Sequence, residues 1–264
     1  MTESLLRELL AAVDRRRRVA MATVVDTDRS VPRRAGSKML VYGDGTTSGS
    51  VGGGEMESRV VAESVAALAD GKPRRLAYDL LDPSSGDPGV CGGSVELYIE
   101  PYMPKPTVFV VGAGHVGKAV VELACWLDLR VVVWDDRPDL VGQLDTPVNT
   151  DDDQIVRASG PLSDAIVANP IDAHTSVVMV TRNVALDVDI LPQILDTPAS
   201  YIGLMGSHRR WETTRAKLAD LGHSGTSLSR ITAPIGIEID AETPAEIAVS
   251  ILGQVIAQSN ITRD

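Results

Sequence analysis

Three glycines at the spacing Gly-x-Gly-x-x-Gly close an apolar, β-branched run in the middle of the chain. They are Gly112, Gly114 and Gly117, and a helical pattern follows from Lys118. A strand–turn–helix unit of this kind can bind a dinucleotide. Its first glycine makes the tight turn, the second lets the backbone approach the diphosphate, and the third packs the helix on the strand. The free N–H groups of the helix N-terminus then face the anion.

Two polar residues stand close to this turn. Asp135 ends the next apolar run, where a carboxylate accepts from a ribose 2′-hydroxyl and repels a 2′-phosphate, which predicts NAD rather than NADP. His115 occupies a variable position of the turn, where it either donates to a phosphate or faces solvent. A site that holds no nucleotide is the alternative, because a fold of this type persists without its ligand.

A second candidate site surrounds Cys91, which is followed by Gly92 and Gly93. Flanking glycines leave backbone N–H groups around the sulfur, and such a nest lowers the pKa of a thiol and suits an anionic ligand. A small buried residue at the entry to a strand explains the same pattern equally well. Cys125, in contrast, lies within an apolar helical pattern and is expected in a core.

Two further loops carry groups that bind anions. Gly52, Gly53 and Gly54 directly precede a helix that starts near Glu55 and could wrap a phosphate, although no Gly-Lys-Ser/Thr of a Walker A loop follows. A tight turn between sheet and helix is the structural alternative. Arg33 is either a guanidinium fork for a phosphate or carboxylate, or an ordinary surface arginine.

Composition limits the classes of partner. The chain has 264 residues, 44% hydrophobic and 23% charged, which is typical of a globular protein with two domains. Its net charge of −11 argues against affinity for nucleic acid and against docking on anionic membranes. No apolar run approaches the length of a membrane span, so no membrane insertion is expected. Two cysteines and four histidines show no metal-binding spacing, and the cysteine usage favours the cytoplasm.

The order of the elements predicts an α/β protein. We expect an N-terminal α+β domain over residues 1–100, a proline-rich linker over 101–106, and a Rossmann-like, doubly wound parallel-sheet domain over 107–264. Thr243 and Glu246, with a proline between them, form a capping box that predicts the start of the last helix.

Taken together, the motifs resemble those of the xanthine dehydrogenase accessory protein family (XdhC/CoxI type) over nearly the full length. Those in the first half are Ser30-Val31-Pro32-Arg33 with Gly36 and Met39, Gly49-Ser50-Val51-Gly52-Gly53-Gly54 with Glu57, and Cys91-Gly92-Gly93-Ser94-Val95-Glu96. Those in the second half are Gly112-Ala113-Gly114-His115-Val116-Gly117, Asp135-Asp136-Arg137, Tyr201-Ile202-Gly203-Leu204-Met205-Gly206-Ser207 and Thr243-Pro244-Ala245-Glu246-Ile247-Ala248.

The resemblance favours a maturation factor over a catalyst and leaves open whether any catalysis occurs. Such a protein binds molybdenum cofactor (molybdopterin) while its sulfido ligand is installed, and delivers it to apo-xanthine dehydrogenase or a related molybdenum hydroxylase. A cysteine desulfurase is a further implied partner, and a homodimer is the expected assembly. The family's functional cysteine maps onto Cys91, which favours the cofactor-binding interpretation of that residue.

One segment departs from the family pattern. Family members often carry Thr-His-Asp-His where this chain has Thr181-Arg182-Asn183-Val184, so any metal or acid–base role of those histidines is absent. Two other functions stay open from the residues. The glycine turn alone suits an NAD(P)-dependent oxidoreductase, although no convincing proton-relay set accompanies it. A nucleotide-binding regulatory protein is the other alternative.

Overall fold

The computed structural model of the protein describes residues 2–29, 31–79, 93–145 and 154–261. Described residues up to Pro104 form one compact unit, and those from Lys105 onwards form a second. No helix within these ranges is long and apolar enough to cross a bilayer.

The first unit is an antiparallel sheet with two helices. Its elements are α1 (Thr2–Asp14), β1 (Val19–Asp28), β2 (Lys38–Tyr42), β3 (Thr47–Gly49), α2 (Gly54–Asp70), β4 (Arg74–Asp79) and β5 (Ser94–Tyr102). The strands lie in the order β3-β2-β1-β5-β4, and each neighbouring pair is antiparallel.

Both faces of this sheet are apolar, and successive side chains of a strand contribute to opposite faces. Ala20, Ala22 and Val24 of β1 belong to the cluster that also contains residues of α2. Val19, on the opposite face, packs with Leu5 and Leu9 of α1. Because successive side chains of a strand point to opposite faces, one strand serves both helices.

The second unit is a parallel sheet covered by helices. Its elements are β6 (Thr107–Val111), α3 (His115–Trp126), β7 (Arg130–Asp135), α4 (Pro138–Gly142), β8 (Ile155–Ser159), α5 (Leu162–Ala168), β9 (Thr175–Met179), α6 (Val184–Leu195), β10 (Tyr201–Leu204), α7 (His208–Asp220), α8 (Gly225–Leu228), β11 (Ile231–Thr232) and α9 (Pro244–Ile261).

The strand order β11-β10-β9-β6-β7-β8 is that of the dinucleotide-binding fold. Numbered from β6, it reads 3-2-1-4-5-6 from one edge, so the order reverses between β6 and β9. Val108 and Val110 of β6 pack into one cluster with α3 and α9, whereas Phe109 and Val111 pack into another with α6. Burial on both faces explains why β6 is uniformly apolar.

The predicted fold class is confirmed: an N-terminal antiparallel α+β unit precedes a Rossmann-like parallel-sheet unit. The capping box is also confirmed, because Glu246 accepts hydrogen bonds from the N–H groups of Glu242 and Thr243, and the N–H of Glu246 donates to Oγ1 of Thr243. β5 runs further than expected. Its last two residues, which include Pro101 opposite Ala20, lie inside the stretch predicted as a linker.

Candidate functional site

The glycine turn after β6 has a different steric demand at each glycine. Gly112 has φ +116°, and a Cβ there would lie 2.8 Å from the carbonyl oxygen of Val180. A Cβ on Gly117 would lie 1.9 Å from the carbonyl oxygen of Gly112, so this glycine lets α3 pack against the turn. A Cβ on Gly114 would meet nothing within 4 Å. The backbone at Gly114 is therefore open to an approaching group.

The first residues of α3 border this opening. Gly114 is the N-cap of α3 and has no side chain to satisfy the first N–H groups of the helix. His115 is the first helical residue, and its side chain is exposed. The start of α3 therefore combines an approachable backbone with helix N–H groups, the arrangement that suits a phosphate.

Asp135 lies at the end of β7 and is engaged inside the domain. Its Oδ2 accepts a 2.7 Å hydrogen bond from the N–H of Ala113, and its Oδ1 accepts from the N–H and Nε of Arg137. Burial alone would raise the pKa of Asp135, but the hydrogen bonds from Arg137 and Ala113 outweigh it and lower the pKa to about 2. A ribose hydroxyl would have to replace one of these internal partners.

The next residue, Asp136, is paired with Arg182 from a distant part of the chain. Both guanidinium Nη atoms of Arg182 lie 2.6 Å from the two carboxylate oxygens of Asp136. Asp136 follows β7 and Arg182 follows β9, and these strands are the two neighbours of β6. The ion pair therefore passes over the end of β6, from which the glycine turn starts.

A second, largely buried ion pair lies at the same edge of the sheet. Asp187 of α6 is fully buried, and Nε and Nη2 of Arg210 from α7 lie 2.8–2.9 Å from its carboxylate oxygens. Thr181 accepts from Arg210 through its carbonyl and hydroxyl oxygens, and its hydroxyl donates to Asp187. This network was not predicted from the sequence. Its only signal was an acidic residue on the buried side of an apolar helix.

The thiol segment predicted in the first unit adjoins the start of β5. Cys91 and Gly92 lie outside the described residues. Gly93 is buried and directly precedes β5. Cys125 is buried in α3, and burial raises the pKa of its thiol to about 11, as expected for a core cysteine.

The glycine loop before α2 already holds a carboxylate. Oε1 of Glu57 accepts hydrogen bonds from the hydroxyl of Ser50 at 2.6 Å and from the N–H groups of Val51 and Gly52 at 3.2 Å each. Two of the backbone donors that could have faced a ligand phosphate are therefore used inside the loop. The same contacts fix the loop against the first turn of α2.

The other residues of this region differ in their surroundings. A Cβ on Gly52 would lie 1.9 Å from Cε of Met56, whereas Gly53 and Gly54 have nothing within 4 Å of that position. Arg33 is exposed. Within the ranges that the structure describes, it forms no ion pair, and no group of three or more His, Cys, Asp or Glu residues could hold a metal ion.

The fold and these sites define a class of protein in which an antiparallel α+β unit precedes a nucleotide-binding type of parallel sheet. Two family models match the chain: the XdhC and CoxI family over residues 12–79, and the XdhC Rossmann domain over residues 108–255. The chain belongs to this family.

Relatives match most of the chain. An uncharacterized protein of Escherichia coli, YqeB, is 33% identical over 246 residues, which cover 91% of this chain and 43% of YqeB. The molybdenum cofactor insertion chaperone PaoD of Escherichia coli is 23% identical over 96% of this chain and 87% of its own length. A Bacillus subtilis protein, named as a probable xanthine dehydrogenase subunit, is 27% identical over 62% of this chain and 46% of that protein.

This chain thus spans less than half the length of two of these relatives. A solved structure described as a xanthine dehydrogenase from Bacillus halodurans has the same fold. It aligns with a TM-score of 0.50 at 21% identity, over 96% of this chain and 95% of that one.

Proposed function

We propose that this protein binds molybdenum cofactor and supports its insertion into a molybdenum hydroxylase of the xanthine dehydrogenase type. The observation that carries the proposal is the match of both units to one family, together with a relative named as a molybdenum cofactor insertion chaperone that aligns over nearly the whole chain. The proposal has three further parts. The cofactor is sulfurated with the help of a cysteine desulfurase, the protein acts as a homodimer, and it is located in the cytoplasm.

The proposed cofactor-binding residues belong to the first unit. Cys91, Gly92 and Gly93 form a glycine-flanked thiol segment, and Arg33 supplies an exposed guanidinium without an ion-pair partner among the described residues. When bound, the cofactor supplies a molybdenum centre on a pterin with an anionic phosphate. An exposed guanidinium and a thiol match the anionic and the metal-binding parts of such a group.

The glycine loop before α2 fits the cofactor only in part. The N–H groups of Val51 and Gly52 are taken by Glu57, so they would not bind a phosphate unless that carboxylate moved. Gly53 and Gly54 remain open on their Cβ sides and could border a bound group closely. We therefore assign the loop a shaping role and leave charge recognition to Arg33.

The test is to purify the protein without oxygen from cells that make the cofactor. Bound pterin is then oxidised to its fluorescent form and counted per protein chain. We expect a stoichiometric fraction of fluorescent pterin, and transfer of activity when the loaded protein is mixed with cofactor-free xanthine dehydrogenase. Pterin at the level of an unrelated control protein purified in parallel would exclude the proposal.

We further propose that the second unit binds a nucleotide at Gly112, Gly114, His115 and Gly117, with no hydride transfer. The open backbone at Gly114 and the strand order around β6 support this assignment. Asp135 at the end of β7 stands where a carboxylate accepts from a ribose 2′-hydroxyl, which favours NAD over NADP. Calorimetric titration with both nucleotides tests the assignment, and tighter binding of NADP would contradict the preference.

A further inference from the structure

The Asp136–Arg182 ion pair crosses the end of β6, where a bound dinucleotide would lie. In a sheet of this order, the adenosine half lies beside the strand that carries the ribose-binding carboxylate, here β7. The diphosphate lies at the start of α3, and the other nucleoside extends beyond the reversal of strand order, towards β9. A dinucleotide therefore spans β7, β6 and β9, and the ion pair joins the two outer strands of this set.

The register places the pair just above the glycine turn. Val111, the last residue of β6, lies opposite Trp134 of β7 and Met179 of β9. Asp136 and Arg182 follow those two partners by two and three residues, and their side chains meet in a bidentate contact of 2.6 Å. The two groups are only partly exposed, 34% for Asp136 and 42% for Arg182, so the contact is partly shielded from solvent.

Neighbouring charges hold the Asp136 side of the pair in place. Arg137 binds both oxygens of the buried Asp135, and its Nε lies 3.9 Å from Oδ1 of Asp136. Asp135 in turn accepts from the N–H of Ala113 in the glycine turn. The turn, the end of β7 and the segment after β9 are thus linked by one series of hydrogen bonds and ion pairs.

We propose that the Asp136–Arg182 pair determines ligand length at this site. It admits a mononucleotide, which stays between β7 and the start of α3, and it opposes a dinucleotide, which must break the pair to reach β9. This inference rests on the nucleotide-binding role proposed for the second unit. It assigns a function to Arg182, which lies in the segment where the chain departs from the family pattern.

The experiment compares NAD and ADP binding by calorimetry in the parent protein and in Arg182→Gln. Loss of a cation weakens the binding of an anion in general, so a gain in affinity has the opposite sign to the simple electrostatic effect. We expect NAD to bind about two- to fivefold more tightly in the variant, the range that breaking a partly exposed ion pair gives. ADP affinity should stay unchanged or fall.

Lys105→Gln is the matched control. Lys105 forms an ion pair with Asp128 in the same unit. This pair lies near the amino end of β6, away from the glycine turn, and the substitution likewise removes one cation. It should leave the ratio of NAD to ADP affinity unchanged. Salt provides a second readout. The ratio of NAD affinity in Arg182→Gln to that in the parent should fall as ionic strength rises from about 0.05 M to 0.5 M. Salt weakens the Asp136–Arg182 pair in the parent, so less is gained by removing it.

The outcomes separate the two proposals. If the parent binds NAD and Arg182→Gln binds it no better, the length-selecting role is wrong while the nucleotide site stands. If neither nucleotide binds the parent or the variant, both proposals are excluded. Binding of NAD by the variant alone supports both. Thermal unfolding of each protein checks that the compared chains are folded.

Discussion

The N–H of Ala113 donates a 2.7 Å hydrogen bond to Oδ2 of Asp135 and so ties the glycine turn to the end of β7. The carboxylate has little exposed surface and also binds Arg137. A residue chosen from the sequence for its fit to a ribose thus already has an internal structural role in this structure.

This contact predicts a pH dependence of stability. The pKa of Asp135 in the folded protein, about 2, lies below its value in an unfolded chain, so its charged form contributes stability that is complete above about pH 5. That contribution is lost as the pH falls towards 2. We expect about 1 to 2 kcal/mol, reduced by the solvent exposure of Arg137.

The measurement is urea unfolding of the parent and of Asp135→Asn between pH 3 and pH 7. The difference in unfolding free energy should narrow towards pH 3. Asp128→Asn, which alters an exposed ion pair, serves as the control. A difference that does not change with pH would contradict the role given to the charge.

The two glycines of the turn should respond differently to alanine. Gly117→Ala places a methyl group 1.9 Å from the carbonyl oxygen of Gly112, and we expect a loss of about 1 to 3 kcal/mol in unfolding free energy. Gly114→Ala meets no atom within 4 Å and should leave stability nearly unchanged while it weakens nucleotide binding. Equal destabilisation by the two substitutions would refute the steric account.

Substitution of only one member of the Asp187–Arg210 pair should lower the unfolding free energy strongly. Arg210→Met should lower the unfolding free energy by about 3 to 5 kcal/mol, because it leaves the buried Asp187 carboxylate unpaired. Asp187→Asn should lose less, because the Arg210 side chain is 17% exposed and partly reaches solvent. The double variant Asp187→Leu with Arg210→Met should lose less than the sum of the single variants. Additive losses in denaturant titrations would show that the two residues act independently.

Glu57 should be required for the shape of the glycine loop. Glu57→Ala leaves the hydroxyl of Ser50 and two backbone N–H groups without their acceptor, and we expect a loss of about 1 to 3 kcal/mol. Glu57→Gln keeps an acceptor oxygen and should lose less. Thermal unfolding of the two variants measures the difference, and equal losses would show that these hydrogen bonds contribute little.

Cys91 is predicted to contact the cofactor. Cys91→Ser should leave the unfolding temperature nearly unchanged and abolish pterin retention on purification. Cys125→Ala, at a buried cysteine of the second unit, should retain pterin and so controls for the loss of a thiol. Undiminished pterin in Cys91→Ser would remove this residue from the proposed site.

Local features of the sequence determined much of this protein. The capping box of Thr243 and Glu246 and the contact of Gly117 with Gly112 in the glycine turn involve residues a few positions apart, so local hydrogen-bonding geometry and sterics favour them. Uniformly apolar runs likewise indicated a parallel sheet covered on both faces. Short elements such as β3 and α4 carried no comparable periodicity and were not predicted.

Contacts between distant residues were decided only by the tertiary structure. Asp136 and Arg182 are 46 positions apart, and Asp187 and Arg210 are 23 apart. The first pair meets because the chain crosses over and places β9 beside β6, and the second because α6 packs against α7. No local pattern encodes which strands or helices become neighbours. The sequence thus predicted which residues form a nucleotide site, whereas the strand order determined which charged groups near them are already bound to one another.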